Sequence, residues 1–295
     1  MNDFIVARRS DDSVISVQQD NSTKNLMITS LNKSAELLLN YTNSELSNKP
    51  LSTILNKNLV EDMNNELEYT NDGTDLFDVI SKMNNLTFIG KNNKNITVKA
   101  KIFRTANFDR NIINYEFLIR DTTISQKLDI FRKSISNNTI YTMHPVFEIM
   151  DESSTIMEIK IILDFLHKYN TRATIAMLSI NPPHNSKNID ILTKNTIDLL
   201  HKNIRESDIT GYIGEHKIIC MLLGCKSEDA YSAVSRLHKS INNNLQNFHA
   251  KISIGYAQMY NEIDATELIN KINKILFIAQ QEIGGGSIKD ANTEL

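Results

Sequence analysis

The chain has 295 residues, 41% of them hydrophobic and 23% charged, which is enough for two domains that each bury a core. A net charge of −3 gives no electrostatic case for nucleic acid, which would want a clustered basic face, so no nucleic-acid partner is expected. The opening stretch MNDFIVARRSDDSV lacks a signal-like apolar run and nothing later reaches membrane-spanning length. A cytoplasmic chain without membrane insertion is therefore expected.

Up to about Thr123 the pattern is α+β. SVISVQ (Ser13 to Gln18) and NLMITSL (Asn25 to Leu31) alternate partly with period two and predict strands. Ser34 is expected to cap the helix over AELLL, and Asn40 to end it in the left-handed conformation. Thr42 or Ser44 starts the next turn, and Leu59 to Tyr69 has apolar residues at helical spacing. Three strands follow, NLTFIG, ITVKAKIFR and IINYEFLIR, the first two joined by a turn over Lys91 to Asn95.

This stretch resembles a PAS domain. The residues that carry the likeness are NKSAELLLNY (Asn32 to Tyr41), the following SELSNKPL, and RDTT (Arg120 to Thr123). Asn40 stands where the family usually has Gly, a substitution that the left-handed backbone tolerates. The resemblance implies a sensor domain over residues 1–123. All seven histidines lie at or beyond His144, and both cysteines, Cys220 and Cys225, lie later still. Neither His-ligated haem nor cysteinyl-flavin photochemistry is therefore expected in this part, and no cofactor is assigned to it. The two cysteines are too few for a disulfide framework and lack metal-ligand spacing, and Cys220 reads as a small core residue.

Residues 124–143 read as a connecting, signalling helix. Ile124, Leu128, Phe131 and Ile135 are spaced 4, 3 and 4, which suits either a two-stranded coiled coil in a homodimer or packing on the helix's own domain. From there helix and strand alternate: an amphipathic helix over Thr155 to Tyr169, an apolar strand over Arg172 to Ile180, and a helix over Ile189 to Ile204. A hairpin over Ile209 to Leu223, a helix over Glu228 to Leu245, a strand over Ala250 to Gln258 and a helix over Asp264 to Gln281 complete the pattern. This order suits one central sheet covered by helices, an α/β sandwich.

Residues 144–295 resemble a GGDEF domain, the nucleotidyl-cyclase-like fold that makes cyclic dimeric GMP from two GTP. The likeness rests on HPVFEI (His144 to Ile149), MLSIN (Met177 to Asn181), SIGYA (Ser253 to Ala257) and INKILFIAQQEIGGGSI (Ile272 to Ile288). It sets Gly214-Glu215-His216-Lys217-Ile218 on the family's Gly-Gly-Asp/Glu-Glu-Phe. His216 then occupies the position of one metal-binding carboxylate, and Ser179 and Asn181 stand on the strand that supplies the other. Neutral imidazole, hydroxyl and amide groups are poor Mg²⁺ ligands, since that ion takes hard oxygens in a tight octahedron. Glu215, one residue away, is expected to point to the other face of its strand, and it fills a glycine position. Lys217 replaces a Glu, Gln280 stands where a phosphate-contacting Lys is expected, and the loop PPHNSKN lacks the family's guanine-recognising Asn. No catalytic residue and no metal ligand is therefore assigned. The domain is expected to be a degenerate, non-catalytic relative of the diguanylate cyclases.

Arg205-Glu206-Ser207-Asp208 ends five residues before Gly214 and is similar to the family's inhibitory Arg-x-x-Asp, which binds the product. An Arg fork grips the O6/N7 edge of guanine or a phosphate, and an Asp accepts from the base's donors. Arg205 and Asp208 are thus the candidate cyclic-dimeric-GMP residues. The competing account is a charged helix end complementing its dipole. Two functional readings follow: a signalling receptor for cyclic dimeric GMP, or a dimeric adaptor whose domains bind only protein partners. An active cyclase is the remote third. His184, His201 and the run Gly284-Gly285-Gly286 are assigned surface, packing or turn roles, because none has the partners a metal or phosphate site needs.

Overall fold

Ser13, Ile15, Val17 and Gln19, every second residue of Ser13–Asp20 (β1), are buried, as a half-covered sheet requires of an alternating strand. In the computed structural model the described residues are 13–20, 25–69, 86–105, 112–135, 140–181, 188–259, 264–282 and 286–291. The chain divides into two units, Met1–Thr123 and Ile124–Leu295. Among the described residues, no helix is long and apolar enough to cross a membrane.

The first unit has an antiparallel five-stranded sheet in the order β2-β1-β5-β4-β3. Its strands are β1, Leu26–Leu31 (β2), Leu86–Ile89 (β3), Asn95–Thr105 (β4) and Ile112–Asp121 (β5). Lys33–Leu39 (α1), Asn43–Leu46 (α2) and Lys57–Tyr69 (α3) lie between β2 and β3 in the chain. Ala35, Leu39, Leu46 and Met63 from these helices close the core over Ile15, Phe88, Tyr115 and Phe117. The cap of α1 is Asn32 rather than Ser34. The Asn32 side chain accepts from the Ala35 N–H, while the Ser34 hydroxyl pairs with that of Ser13. Asn40 ends α1 at φ 57°, and Thr42 with Glu45 forms a capping box for α2. The β3–β4 turn closes through Gly90 N–H to Lys94 O at 3.0 Å, with Asn93 left-handed.

The second unit is built on the sheet order β10-β9-β6-β8-β7. Ala173–Asn181 (β6) is central, antiparallel both to Lys217–Leu223 (β8) and to Lys251–Met259 (β9). Ile209–Tyr212 (β7) pairs with β8 as a hairpin, and Ile288–Asp290 (β10) lies parallel to β9. Both faces are covered, which is why β6 is buried almost throughout. One core holds Thr123–Ile135 (α4), Glu152–Tyr169 (α5) and Ala265–Gln281 (α8) against Ile175, Met177, Ile219 and Met221. The other holds Ile189–Asn203 (α6) and Ser227–Leu245 (α7) against Ala176, Leu178, Ile218 and Ile254.

Of the two uses open to the Ile124–Ile135 stripe, packing within its own unit is the one seen. Leu128 and Phe131 are buried in the α5 core, and the Phe131 ring lies 5.8 Å from that of Phe165. Ile135 is left 47% exposed, so the last stripe residue takes no part in that packing. Helix α5 starts three residues earlier than its apolar pattern suggests, because Asp151 caps it through the Ser154 N–H.

Candidate functional site

Ser179 and Asn181 lie two residues apart on β6 and therefore share one sheet face. The ladder sets Ser179 directly across from Lys217 on one side and Ser253 on the other. Gln280, near the end of α8, donates from Nε2 to Ser179 Oγ at 3.0 Å and to Asn181 Oδ1 at 3.4 Å. Asn181 Nδ2 donates to Ser253 Oγ at 2.8 Å, and that hydroxyl also receives the Gly286 N–H. The result is a closed network of neutral amides and hydroxyls between sheet and helix. Among the described residues, no group of three or more His, Cys, Asp or Glu side chains could hold a metal ion.

The hairpin tip is a turn, not a continuation of the strands. Lys217 N–H reaches Gly214 O at 2.8 Å, and Glu215 and His216 between them both have positive φ, 49° and 57°. Two successive left-handed residues that are not glycine carry backbone strain. The turn, rather than strand alternation, parts the two side chains. Glu215 points to solvent and pairs with Lys217 Nζ at 2.6 Å, and this contact holds its carboxyl below the usual range. His216 turns to α6, with Nδ1 3.2 Å from Thr193 Oγ1 and 3.6 Å from Asp190 Oδ1. Its N–H donates to the Tyr212 hydroxyl at 3.2 Å.

His144 and Phe147 flank the hairpin. Their rings stack at 4.3 Å and both meet Tyr212, while the Tyr212 N–H donates to Met150 O at 2.8 Å. His144 Nδ1 accepts from the Val146 and Phe147 N–H groups, both at 3.3 Å. The aromatic character of this cluster was legible in the sequence. Its assembly beside the tip was not, because it depends on the bridge from Met150 to Gly211.

Arg205 and Asp208 lie in a turn beyond the end of α6, not on a helix end. Arg205 is exposed, and the Asp208 N–H closes the turn on Arg205 O at 3.1 Å. The Asp208 carboxylate accepts the Arg205 N–H at 2.9 Å and the Leu223 N–H at 3.2 Å, fixing the turn to the end of β8. His201 shares a hydrogen bond with Thr210 at 2.9 Å, and burial lowers its pKa. Cys220 is fully buried, and burial drives its thiol well above the ordinary range, which keeps it unreactive. Most of the loop PPHNSKN, His184 included, and residues 284 and 285 lie outside the described residues.

No known protein family's profile and no curated protein matches the sequence. Solved GGDEF domains are similar in structure to about half of the chain. That of DgcB from Caulobacter crescentus, in complex with c-di-GMP, aligns over 53% of this chain and 99% of its own, at 8% identity and TM-score 0.44. The FimX GGDEF domain from Pseudomonas aeruginosa aligns over 51% and 99%, at 21% identity and TM-score 0.45. Diguanylate cyclase SiaD from the same organism, in complex with its activator SiaC, aligns over 56% and 67%, at 13% identity and TM-score 0.44.

Proposed function

We propose that this chain is a non-catalytic signalling protein, with a PAS-like sensor domain followed by a degenerate GGDEF domain that binds cyclic dimeric GMP rather than making it. The observation that carries the reading is that hydroxyl, amide and imidazole groups, not carboxylates, stand at the positions where the sequence resemblance places metal ligands. Ser179 and Asn181 are engaged by Gln280, and His216 by Thr193. None of these groups offers the hard anionic oxygen that Mg²⁺ prefers. Phosphoryl transfer depends on metal charge and positioning, so their joint replacement removes the means of catalysis.

For the ligand, the exposed Arg205 beside Asp208 offers a charged fork next to an acceptor. One observation favours a second reading, an adaptor that binds only protein. Both oxygens of Asp208 already accept backbone N–H groups, a role that serves the fold alone. Calorimetry of the full chain separates the two. The receptor reading expects heat from cyclic dimeric GMP and none from GTP with Mg²⁺. Silence from both ligands supports the adaptor, and turnover of GTP overturns the non-catalytic reading altogether.

A further inference from the structure

Glu158 is 1% exposed in the middle of α5, yet it carries an ionisable carboxyl. Two side chains from outside the helix cover it. Arg132 of α4 donates an Nη–H to one oxygen, and the Tyr141 hydroxyl donates to the other. Asp129 takes the second Nη of Arg132 at 2.8 Å, and the buried Nε of Arg132 has no partner. A carboxylate in an apolar core is stable only while such partners remain on it. Departure of α4 would therefore leave a charge stranded beneath it.

Two short paths run from this cluster to the hairpin tip. Along α5, Glu158 is three residues from Thr155, which lies on the same face and against Gly211 of β7. Along the chain, Tyr141 adjoins Thr142, whose N–H donates to Ser154 Oγ at 2.8 Å and whose hydroxyl donates to Asp151 Oδ2 at 2.5 Å. The segment thus pinned ends at Met150, which pairs with β7 beside Gly211 and accepts the Tyr212 N–H. The paths arrive at the adjacent residues Gly211 and Tyr212, and the Tyr212 hydroxyl holds the His216 N–H of the strained turn.

We propose that the buried Arg132–Glu158–Tyr141 cluster couples the docking of α4 to the hairpin tip: with α4 seated, the strained Glu215–His216 turn is held, and with α4 released, it relaxes. Helix α4 begins two residues after β5, with the Thr123 hydroxyl accepting the Thr97 N–H. The coupling depends on geometry alone and stands whether or not the domain binds a nucleotide.

Hydrogen exchange on the full chain tests it by following the amides of Ile213, His216 and Lys217 together with those of α4. Arg132→Met takes the guanidinium off the Glu158 carboxylate and leaves it the Tyr141 hydroxyl, and exchange should accelerate by at least roughly tenfold in α4 and at the tip together, with β9 unchanged. Arg132→Met combined with Glu158→Met removes the stranded charge and should restore both regions in parallel. Should the first variant fail to fold, Tyr141→Phe removes one hydrogen bond and should give a smaller rise, again in both places. Acceleration in α4 with a silent tip would overturn the proposal. So would restoration of one region without the other, or an equal rise in β9, which marks simple global destabilisation.

Discussion

Gly211 of β7 and Thr155 of α5 lie so close that a Cβ on the glycine would fall 2.1 Å from Thr155 Oγ1 and 2.7 Å from its Cγ2. The Thr155 side chain packs directly on the Gly211 backbone there, and its hydroxyl is pinned to Asp151 O at 2.7 Å. Gly211→Ala should therefore destabilise the second unit by about 3 kcal/mol, at the upper end of overpacking costs. Urea denaturation measures it, and Thr155→Ala in the same chain should recover part of the loss. An unchanged midpoint would show that α5 can shift freely, against the rigid seating described.

The tip offers a test of opposite sign. Glu215 has φ 49° without being glycine, and its exposed carboxylate pairs with the half-buried Lys217. Glu215→Gly removes a side chain from a left-handed position and gives up a solvent-screened ion pair, so the urea midpoint should rise. A fall would mean that the Glu215–Lys217 pair, not the backbone, dominates at this turn.

Arg205 and Asp208 should behave differently under mutation. Arg205→Ala alters an exposed side chain and should leave stability within about 0.5 kcal/mol of the parent. It should weaken cyclic dimeric GMP by about thirtyfold or more, the loss expected for a charged bidentate donor. Asp208→Asn turns one of two acceptors on backbone N–H groups into a donor, so it should also lower the denaturation midpoint. Calorimetry paired with denaturation resolves the two effects, and binding indifferent to Arg205 would remove it from the site.

In the first unit the Glu45 carboxylate accepts from Lys91 and from the Thr42 N–H and hydroxyl, which bring its pKa down from 4.5 to about 2. A depressed folded value means that this contribution to stability is present above pH 4.5 and is lost as pH falls from there towards 2. Following the Glu45 carboxyl resonance against pH checks it directly. A midpoint near 4.5 would show that the Lys91 contact does not persist in solution, and Glu45→Gln should flatten the corresponding part of the stability curve.

Local chemistry was enough to locate most elements. Partial alternation placed the first two strands of the first unit, Asn40 marked a left-handed helix end, and the continuous apolar run of β6 announced a strand covered on both faces. These features depend on near neighbours in the chain, so they are legible without the fold. The replacements at Ser179, Asn181 and His216 were equally visible as residue types. What the sequence could not decide was the partner of each. The 4-3-4 stripe of α4 fits a second helix or its own domain equally well, and the packing of Leu128 and Phe131 beside Phe165 depends on a helix about thirty residues further along the chain. Whether Ser179 and Asn181 would be orphaned or satisfied depended on Gln280, about a hundred residues away. The buried charge of Glu158 left no trace in an amphipathic pattern, because its partners Arg132 and Tyr141 come from a preceding helix and loop. Hydrophobic periodicity determines which face of an element turns inward, but the meeting of polar groups from distant segments is settled only by tertiary packing.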